Sequence, residues 1–122
     1  MVLLASYDEQ VAAELARVLE NKQVELLTCN NARDALLAIA EKQIHLIIFD
    51  PNITALNGMG ILSVIKKFRP HARVVAMGDD LSFEMRQTMV REGVLYQIQT
   101  PMPPGQISEV VETVVEKLCH HN

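Results

Sequence analysis

The chain contains little of what stabilises disulfide-rich or aromatic-rich small proteins. It has no tryptophan, three phenylalanines and two tyrosines among its 122 residues. Its two cysteines, Cys29 and Cys119, are too few for a disulfide framework and lie at no metal-ligand spacing. We therefore expect two ordinary thiols in a reducing compartment, the cytoplasm.

Long apolar runs and blocks of like charge are also absent, which argues against a membrane-spanning segment and a basic nucleic-acid surface. The formal net charge is -4, which weakly disfavours nucleic-acid binding. At the start, Met1–Leu4 leads directly into polar residues, so we expect no signal peptide. The sequence predicts neither a membrane partner nor direct nucleic-acid contact.

Aliphatic side chains supply most of the core. Hydrophobic residues make up 49% of the chain, and six methionines supplement them. A chain of this length buries enough surface to fold without stabilising disulfide bonds or metal ions. We expect residues 1–122 to form one domain, which could also be part of a longer protein.

Five short apolar runs are typical of buried strands, and they lie at residues 2–5, 24–27, 46–49, 74–77 and 95–99. Between and after them, apolar residues recur at helical spacing. Strict alternation of strand and helix favours a parallel sheet with helices on both faces. The sequence thus predicts an α/β, flavodoxin-like, doubly wound sheet of order 2-1-3-4-5 with five helices.

Two local motifs predict how helices begin. Ser6 and Glu9 match a capping box at the start of the first helix. Asp79 and Asp80 precede the fourth helix and are interpreted as an N-terminal capping pair. These interpretations give the polar residues structural roles that need no chemistry.

Asp50 is the most informative residue, because it directly follows the buried run at 46–49 and precedes a turn-rich loop. In an open parallel sheet, ligands bind beyond the carboxyl ends of the strands, where the strand order reverses. For the predicted order, this point lies between strands one and three. It places Ser6, Tyr7 and Asp8 beside Asp50. Asp50 could take part in ligand binding or catalysis there, or its side-chain oxygens could cap its own loop.

The chain resembles the receiver domain of two-component response regulators over essentially its whole length. The resemblance rests on Val2–Asp8, Phe49-Asp50, Asn57-Gly58, Gly93 and Thr100-Pro101. It implies that Asp50 occupies the phosphoacceptor position of a domain that catalyses its own aspartyl phosphorylation. It also implies an acidic pair after strand one that holds Mg²⁺ together with this aspartate.

Several positions depart from the pattern that this resemblance implies. Ser6 and Tyr7 replace the acidic pair, and both are neutral near pH 7. Met77 replaces a hydroxyl residue, Thr100 replaces a lysine, and Gln97 replaces a switch aromatic. Any remaining Mg²⁺ site would draw on Asp8, Asp50 and the carbonyl of Asn52.

Our leading hypothesis is a receiver-like protein-interaction module without standard Mg²⁺-dependent phosphorylation, enzymatic activity or a cofactor. The alternative is a functional receiver phosphorylated at Asp50 by a histidine kinase, slowly and with Mg²⁺. A slipped first strand that places Asp8-Glu9 on the acidic pair is a minor option. A flavodoxin-like cofactor site is disfavoured, because the turn after strand one has no glycine.

The resemblance also implies an interaction surface on helix four, strand five and helix five. Here it would draw on Arg86, Arg91, Tyr96 and Gln99. The implied partners are signalling proteins, namely a histidine kinase or an output domain, or a second copy that forms a homodimer through the same surface.

Overall fold

The computed structural model describes residues 1–53, 60–101, 103 and 105–119. Five parallel strands form one sheet of order β2-β1-β3-β4-β5, as predicted. The strands are β1 (Val2–Ala5), β2 (Leu26–Cys29), β3 (Leu46–Phe49), β4 (Arg73–Gly78) and β5 (Tyr96–Gln99). The helices are α1 (Glu9–Asn21), α2 (Ala32–Glu41), α3 (Gly60–Phe68), α4 (Phe83–Arg91) and α5 (Gln106–Cys119), with a 3₁₀ turn at Pro51–Ile53.

Both faces of the sheet are covered, which explains the continuous apolar runs. In β1, Leu3 faces the cluster that contains Ile39 of α2 and Ile61 of α3. Its neighbour Leu4 faces the opposite cluster, which contains Leu15 of α1 and Val111 of α5. The central strands β1 and β3 are buried at every position.

Strand boundaries differ from the predicted ones by one or two residues. β2 begins at Leu26 rather than Val24, because Leu26 pairs with Val2 whereas Val24 donates its N–H to the Leu19 carbonyl in the preceding turn. β4 extends one residue further at each end than predicted, and β5 begins at Tyr96. The loop residues Asn57 and Gly58 lie outside the described residues.

Both predicted helix caps are wrong. Asp8, not Ser6, caps α1, and its carboxylate accepts from the N–H groups of Gln10 at 3.0 Å and Val11 at 3.2 Å. Ser82 caps α4 in place of the Asp79-Asp80 pair, and its hydroxyl accepts from the Met85 N–H at 3.1 Å. In each case the cap is the polar residue immediately before the helix, since only there does a short side chain reach the first free N–H groups.

The slipped first strand is excluded by the same geometry. β1 ends at Ala5, and the helix that follows buries its apolar stripe of Val11, Leu15, Val18 and Leu19. Asp8 and Glu9 therefore start α1 rather than extend β1. No helix within the described ranges is long and apolar enough to cross a membrane.

Candidate functional site

A cavity of about 390 Å³ opens at the carboxyl ends of β1, β3 and β4. Its lining residues are Ser6, Tyr7, Asp8, Val11, Asp50, Asn52, Met77, Gly78, Asp79 and Thr100. The cavity lies at the predicted switch point. The predicted group Ser6, Tyr7, Asp8 and Asp50 is therefore brought together in space.

Asp50 stabilises the turn that follows it. Its backbone N–H donates to the Ala5 carbonyl at 2.9 Å, which fixes the residue against the end of β1. Its carboxylate Oδ1 accepts from the Asn52 N–H at 2.9 Å, and its carbonyl accepts from the Ile53 N–H at 3.0 Å. The side chain thus caps the 3₁₀ turn, the structural role that the sequence left open.

The environment of Asp50 makes its charged form less favourable than it is in water. Burial raises the pKa of the Asp50 carboxyl above its usual value, and the negative charges of Asp79 and Asp8 raise it further. Hydrogen bonds from Asn52 act in the opposite direction without cancelling the rise. The site therefore gathers negative charge around the carboxylate.

The residues after β1 do not form an acidic pair. Ser6 is partly buried, and its hydroxyl accepts from the Asp8 N–H at 3.1 Å. Tyr7 is 64% exposed. The carboxylate of Asp8 is used as the cap of α1, so this segment presents no free carboxylate pair. In the part of the chain that the structure describes, no group of three His, Cys, Asp or Glu side chains could hold a metal ion.

The residue that ends β4 beside Asp50 is Gly78, and not Met77 as the sequence suggested. Met77 is buried in the cluster between the sheet and helices α1 and α5. At Gly78, an added Cβ would lie 2.8 Å from Oδ1 of Asp50. The assignment was one residue early because the strand end was placed one residue early. Gly78, like Met77, offers no side-chain donor.

Asp79 is a member of the site that sequence reasoning missed. It lines the cavity, and its charge acts on Asp50. Its position directly after an apolar strand, like that of Asp50, was the signal that could have identified it. Across the cavity, the Thr100 N–H donates to the Gly78 carbonyl at 2.8 Å, and the Thr100–Pro101 peptide is cis.

A polar network joins β5 to α4 near the cavity. Gln97 donates its side-chain amide to the Arg86 carbonyl at 3.0 Å, and Gln99 donates to the Asp79 carbonyl at 2.6 Å. The Arg86 guanidinium donates to Oε1 of Gln99 at 2.9 Å and to the Leu81 carbonyl at 3.1 Å. We call these three side chains, Arg86, Gln97 and Gln99, the β5–α4 network.

This network engages some of the predicted interaction residues in hydrogen bonds within the chain. Arg86 and Gln99 bind each other and the backbone rather than standing free. Tyr96 packs toward the cluster beneath α5, on the face opposite to Gln97. Arg91 is exposed at the end of α4.

A second cavity, of about 520 Å³, lies beside Tyr7 and contains Cys29. Burial raises the pKa of the Cys29 thiol, and the charge of Asp34 raises it further. Because the thiolate is the reactive form, this cysteine is poorly suited to nucleophilic chemistry.

Comparison with known proteins agrees with this architecture. The family model of the response regulator receiver domain matches residues 2–112. The nitrogen assimilation regulatory protein NtrX from Azorhizobium caulinodans is 24% identical over 119 residues, covering 96% of this chain and 26% of that protein. The chain thus spans about a quarter of the length of this curated relative.

Solved structures share the fold at low sequence identity. A CheY-like receiver domain protein from Methanospirillum hungatei superposes with a TM-score of 0.82 at 21% identity, covering 97% of this chain and 92% of that one. The receiver domain of NtrX from Brucella abortus gives a TM-score of 0.76 at 24% identity, covering 95% and 98%. The beryllofluoride-activated NtrC4 receiver domain dimer gives 0.79 at 19% identity, covering 95% and 96%.

Proposed function

This chain belongs to the response regulator receiver domain family, and we propose that it is a degenerate member that signals through protein contacts without Mg²⁺-dependent phosphorylation of Asp50. Its partners are signalling proteins of the cytoplasm, a histidine kinase or an output domain. In this role the Asp50 carboxylate stabilises the turn that follows β3, and the folded domain presents a surface to the partner. No cofactor takes part.

The observation that carries the proposal is that Ser6 and Tyr7 stand after β1 in place of two acids, beside two carboxylates whose Oδ1 atoms already accept capping hydrogen bonds. Asp50 caps the 3₁₀ turn at Pro51–Ile53, and Asp8 caps α1. Ser6 and Tyr7, which stand where the resemblance places the acidic pair, supply only neutral oxygens near pH 7. Mg²⁺ prefers carboxylate oxygens and near-octahedral geometry, so this donor set does not fit it.

The charge balance of the cavity supports the same conclusion. Phosphoryl transfer depends on positioning and on neutralising the charge of the transferred group. Asp8 and Asp79 surround Asp50 with negative charge, and the described residues that line the cavity include no lysine or arginine. A phosphoryl group on Asp50 would carry roughly two negative charges in place of the single charge of the carboxylate, in this acidic setting.

The β5–α4 network offers a reason why the domain would hold one conformation. Its bonds join β5 to the β4–α4 connection and to the first turns of α4, over separations of up to 20 residues. A movement of α4 away from β5 breaks several of these bonds together. We propose that partners recognise this single arrangement rather than a phosphorylation-dependent one.

The second candidate function is phosphorylation of Asp50 by a histidine kinase or a small phosphodonor. It is favoured by the position of Asp50 in an open cavity at the switch point, with Asp79 available as an acid that the resemblance does not require. In that case a metal would have to bind Asp8 or Asp50 while Oδ1 of each carboxylate accepts its capping hydrogen bonds. Metal dependence therefore separates the two functions.

An amide-resolved NMR titration tests the proposal. Mg²⁺ is added to about 10 mM, followed by beryllofluoride as a stand-in for the phosphoryl group on Asp50, and the Asp50→Asn variant serves as the matched control. We expect no saturable shifts at Asp8, Asp50 or Gly78 in either protein.

Saturable shifts at these residues in the wild type but not in Asp50→Asn would overturn the proposal. If they spread to Gln97 and Gln99 on addition of beryllofluoride, the phosphorylated-receiver function would replace it. Shifts at other residues that occur equally in both proteins report weak ion binding elsewhere on the acidic surface and leave the proposal standing.

A further inference from the structure

Positive charge is concentrated in one part of this acidic chain. Residues 51–78 contain no aspartate or glutamate, and residues 66–73 hold four of the 11 lysines and arginines. These cations lie in the last turn of α3, in the turn that follows it and at the start of β4. Because α3 runs back from the end of β3 to the start of β4, they lie at the opposite end of the sheet from the acidic cavity.

Arg69 joins the end of α3 to the end of α2. Its guanidinium donates to the Phe68 carbonyl at 2.7 Å, and across the two helices to the carbonyls of Lys42 at 2.7 Å and Ala40 at 3.4 Å. Lys42 is the C-terminal cap of α2. The fold therefore brings Lys42 close to the cations of α3. We call Lys42, Lys67, Phe68 and Arg69 the α2–α3 end.

The lysines of this end have no acid to neutralise them. Lys66, the neighbouring cation, forms an ion pair with Glu92. Within the described ranges, neither Lys42 nor Lys67 has an ion-pair partner, and both are exposed. Cations are favourable at helix C-termini because the last carbonyls are free. Here Arg69 binds carbonyls of both helix ends, which leaves the two lysines available to an external anion.

Phe68 adds an apolar contact to the same surface. It is the last residue of α3 and is 44% exposed. The Lys67 ammonium lies 5.9 Å from the centroid of its ring. Exposed aromatic side chains are frequent anchors of protein contacts. The surface therefore suits a ligand that carries carboxylates next to an apolar side chain.

We propose that the α2–α3 end binds a short acidic segment of a partner protein. Carboxylates of the segment lie against Lys42, Lys67 and Arg69, and an apolar side chain packs on Phe68. The inference rests on the proposed function, since it names the chemistry of one partner of the interaction module. It places that partner on a surface separate from α4, β5 and α5.

Charge complementarity selects a short peptide over a nucleic acid or an anionic membrane. The chain as a whole carries a net charge of -4. A long polyanion extends beyond the few cations of the α2–α3 end and is repelled by the rest of the domain. A short segment stays within the screening length of about 8 Å and meets only the positive end. Exposed ion pairs are individually weak, so we expect an affinity in the upper micromolar range.

An amide-resolved NMR titration of the full 122-residue chain with a synthetic peptide of glutamates around a central leucine tests the proposal. We expect saturable shifts at Lys42, Lys67 and Phe68. The double variant Lys42→Glu/Lys67→Glu should weaken binding about tenfold, and Phe68→Ala about threefold. Arg69 is left unchanged because it joins the two helix ends.

Two control variants separate local contact from general charge. Arg17→Glu/Arg33→Glu reverses two exposed cations of α1 and α2, changes the net charge by the same amount and should leave binding within about twofold. Phe83→Ala removes an exposed aromatic side chain from α4 and should have no effect. The amide spectrum of each variant reports whether its fold is kept.

The proposal is overturned if the peptide causes no saturable shifts, or if both double variants weaken binding equally. It is also overturned if a peptide with glutamines in place of the glutamates binds as well. Tighter binding of a single-stranded oligonucleotide or of phosphatidylserine vesicles at the same lysines would replace the peptide with that partner. No Mg²⁺ or phosphodonor is present and Asp50 is unchanged, so a failure here is distinct from saturable Mg²⁺ binding, which would overturn the proposed function.

Discussion

The carboxylate of Asp50 lies against the Cα of Gly78, so closely that a Cβ on residue 78 would be 2.8 Å from Oδ1 of Asp50. The same Cβ would lie 3.3 Å from a methyl carbon of Leu81. Gly78 at the end of β4 and the Asp50 side chain after β3 therefore pack closely against each other. A side chain at position 78 and the present placement of Asp50 exclude one another.

Gly78→Ala is expected to destabilise the fold by about 1–2 kcal/mol, since overpacking forces a hydrogen-bonded side chain to move. The cost should fall when Asp50 is also shortened to alanine, because the obstructing oxygens are then gone. Urea unfolding of the two single variants and the double variant measures this coupling. Additive effects of the two substitutions would show that residue 78 and Asp50 do not compete for the same space.

Replacing Asp50 with asparagine is expected to stabilise the protein near pH 7 by less than about 1 kcal/mol, a small effect because the group is half exposed and screened by water. The raised pKa of Asp50 means that the fold favours its protonated form. The stability due to this group is complete below the unfolded-state pKa of about 3.9 and is lost as the pH rises through the higher folded-state pKa.

The advantage of Asp50→Asn should therefore vanish as the pH falls toward about 3.9. The asparagine Oδ1 can still accept from the Asn52 N–H, so the turn keeps its cap. Chemical denaturation between pH 4 and pH 8 follows the difference. An advantage that grows on acidification would mean that the fold favours the charged carboxylate instead.

Asp8→Ala is expected to lose about 1 kcal/mol, the usual cost of removing a helix N-cap. Asn31→Ala is a matched control, because Asn31 caps α2 by accepting from the Asp34 N–H at 2.8 Å. Both losses should be the same with and without 10 mM Mg²⁺ in thermal unfolding. A loss at Asp8 alone that grows with Mg²⁺ would identify this residue as a metal ligand instead.

Gln99→Ala is expected to loosen the first turns of α4. It removes the side-chain bonds to the Asp79 and Thr100 carbonyls and the bond from Arg86, each worth about 1 kcal/mol. Amide hydrogen exchange at Arg86 and Gln87 should speed up at least fivefold, given about 1 kcal/mol per lost bond. Gln87→Ala changes the same kind of side chain on the exposed face of α4 and should have no such effect. Equal exchange rates in both variants would show that the β5–α4 network does not stabilise the first turns of α4.

Much of the architecture could be predicted from the periodicity of apolar residues. The order of five strands follows from the alternation of strand and helix and from the rules of chain connection, and the burial of β1 and β3 follows from their continuous apolar runs. The placement of Asp50 beside Ser6, Tyr7 and Asp8 follows from that order. These features depend on local composition and on connection rules, both of which can be applied to the sequence alone.

The exact residues at which strands end and helices begin could not be predicted in this way. The end of β4 at Gly78 rather than Met77 depends on pairing with β5, where Gly78 aligns with Gln99. The capping roles of Asp8 and Ser82 depend on where each helix begins. Helix starts and strand ends are settled by hydrogen bonds that a linear pattern does not contain.

The sequence by itself determined the fold class, the strand order and the position of an acid at the switch point, because periodicity and alternation are local properties. Only the tertiary structure decided that Asp50 rests on Gly78, that Asp79 joins the site and that Gln99 holds Arg86. The physical reason is the range of these contacts. They join side chains from different strands and helices, whose distances are defined only once the sheet has formed.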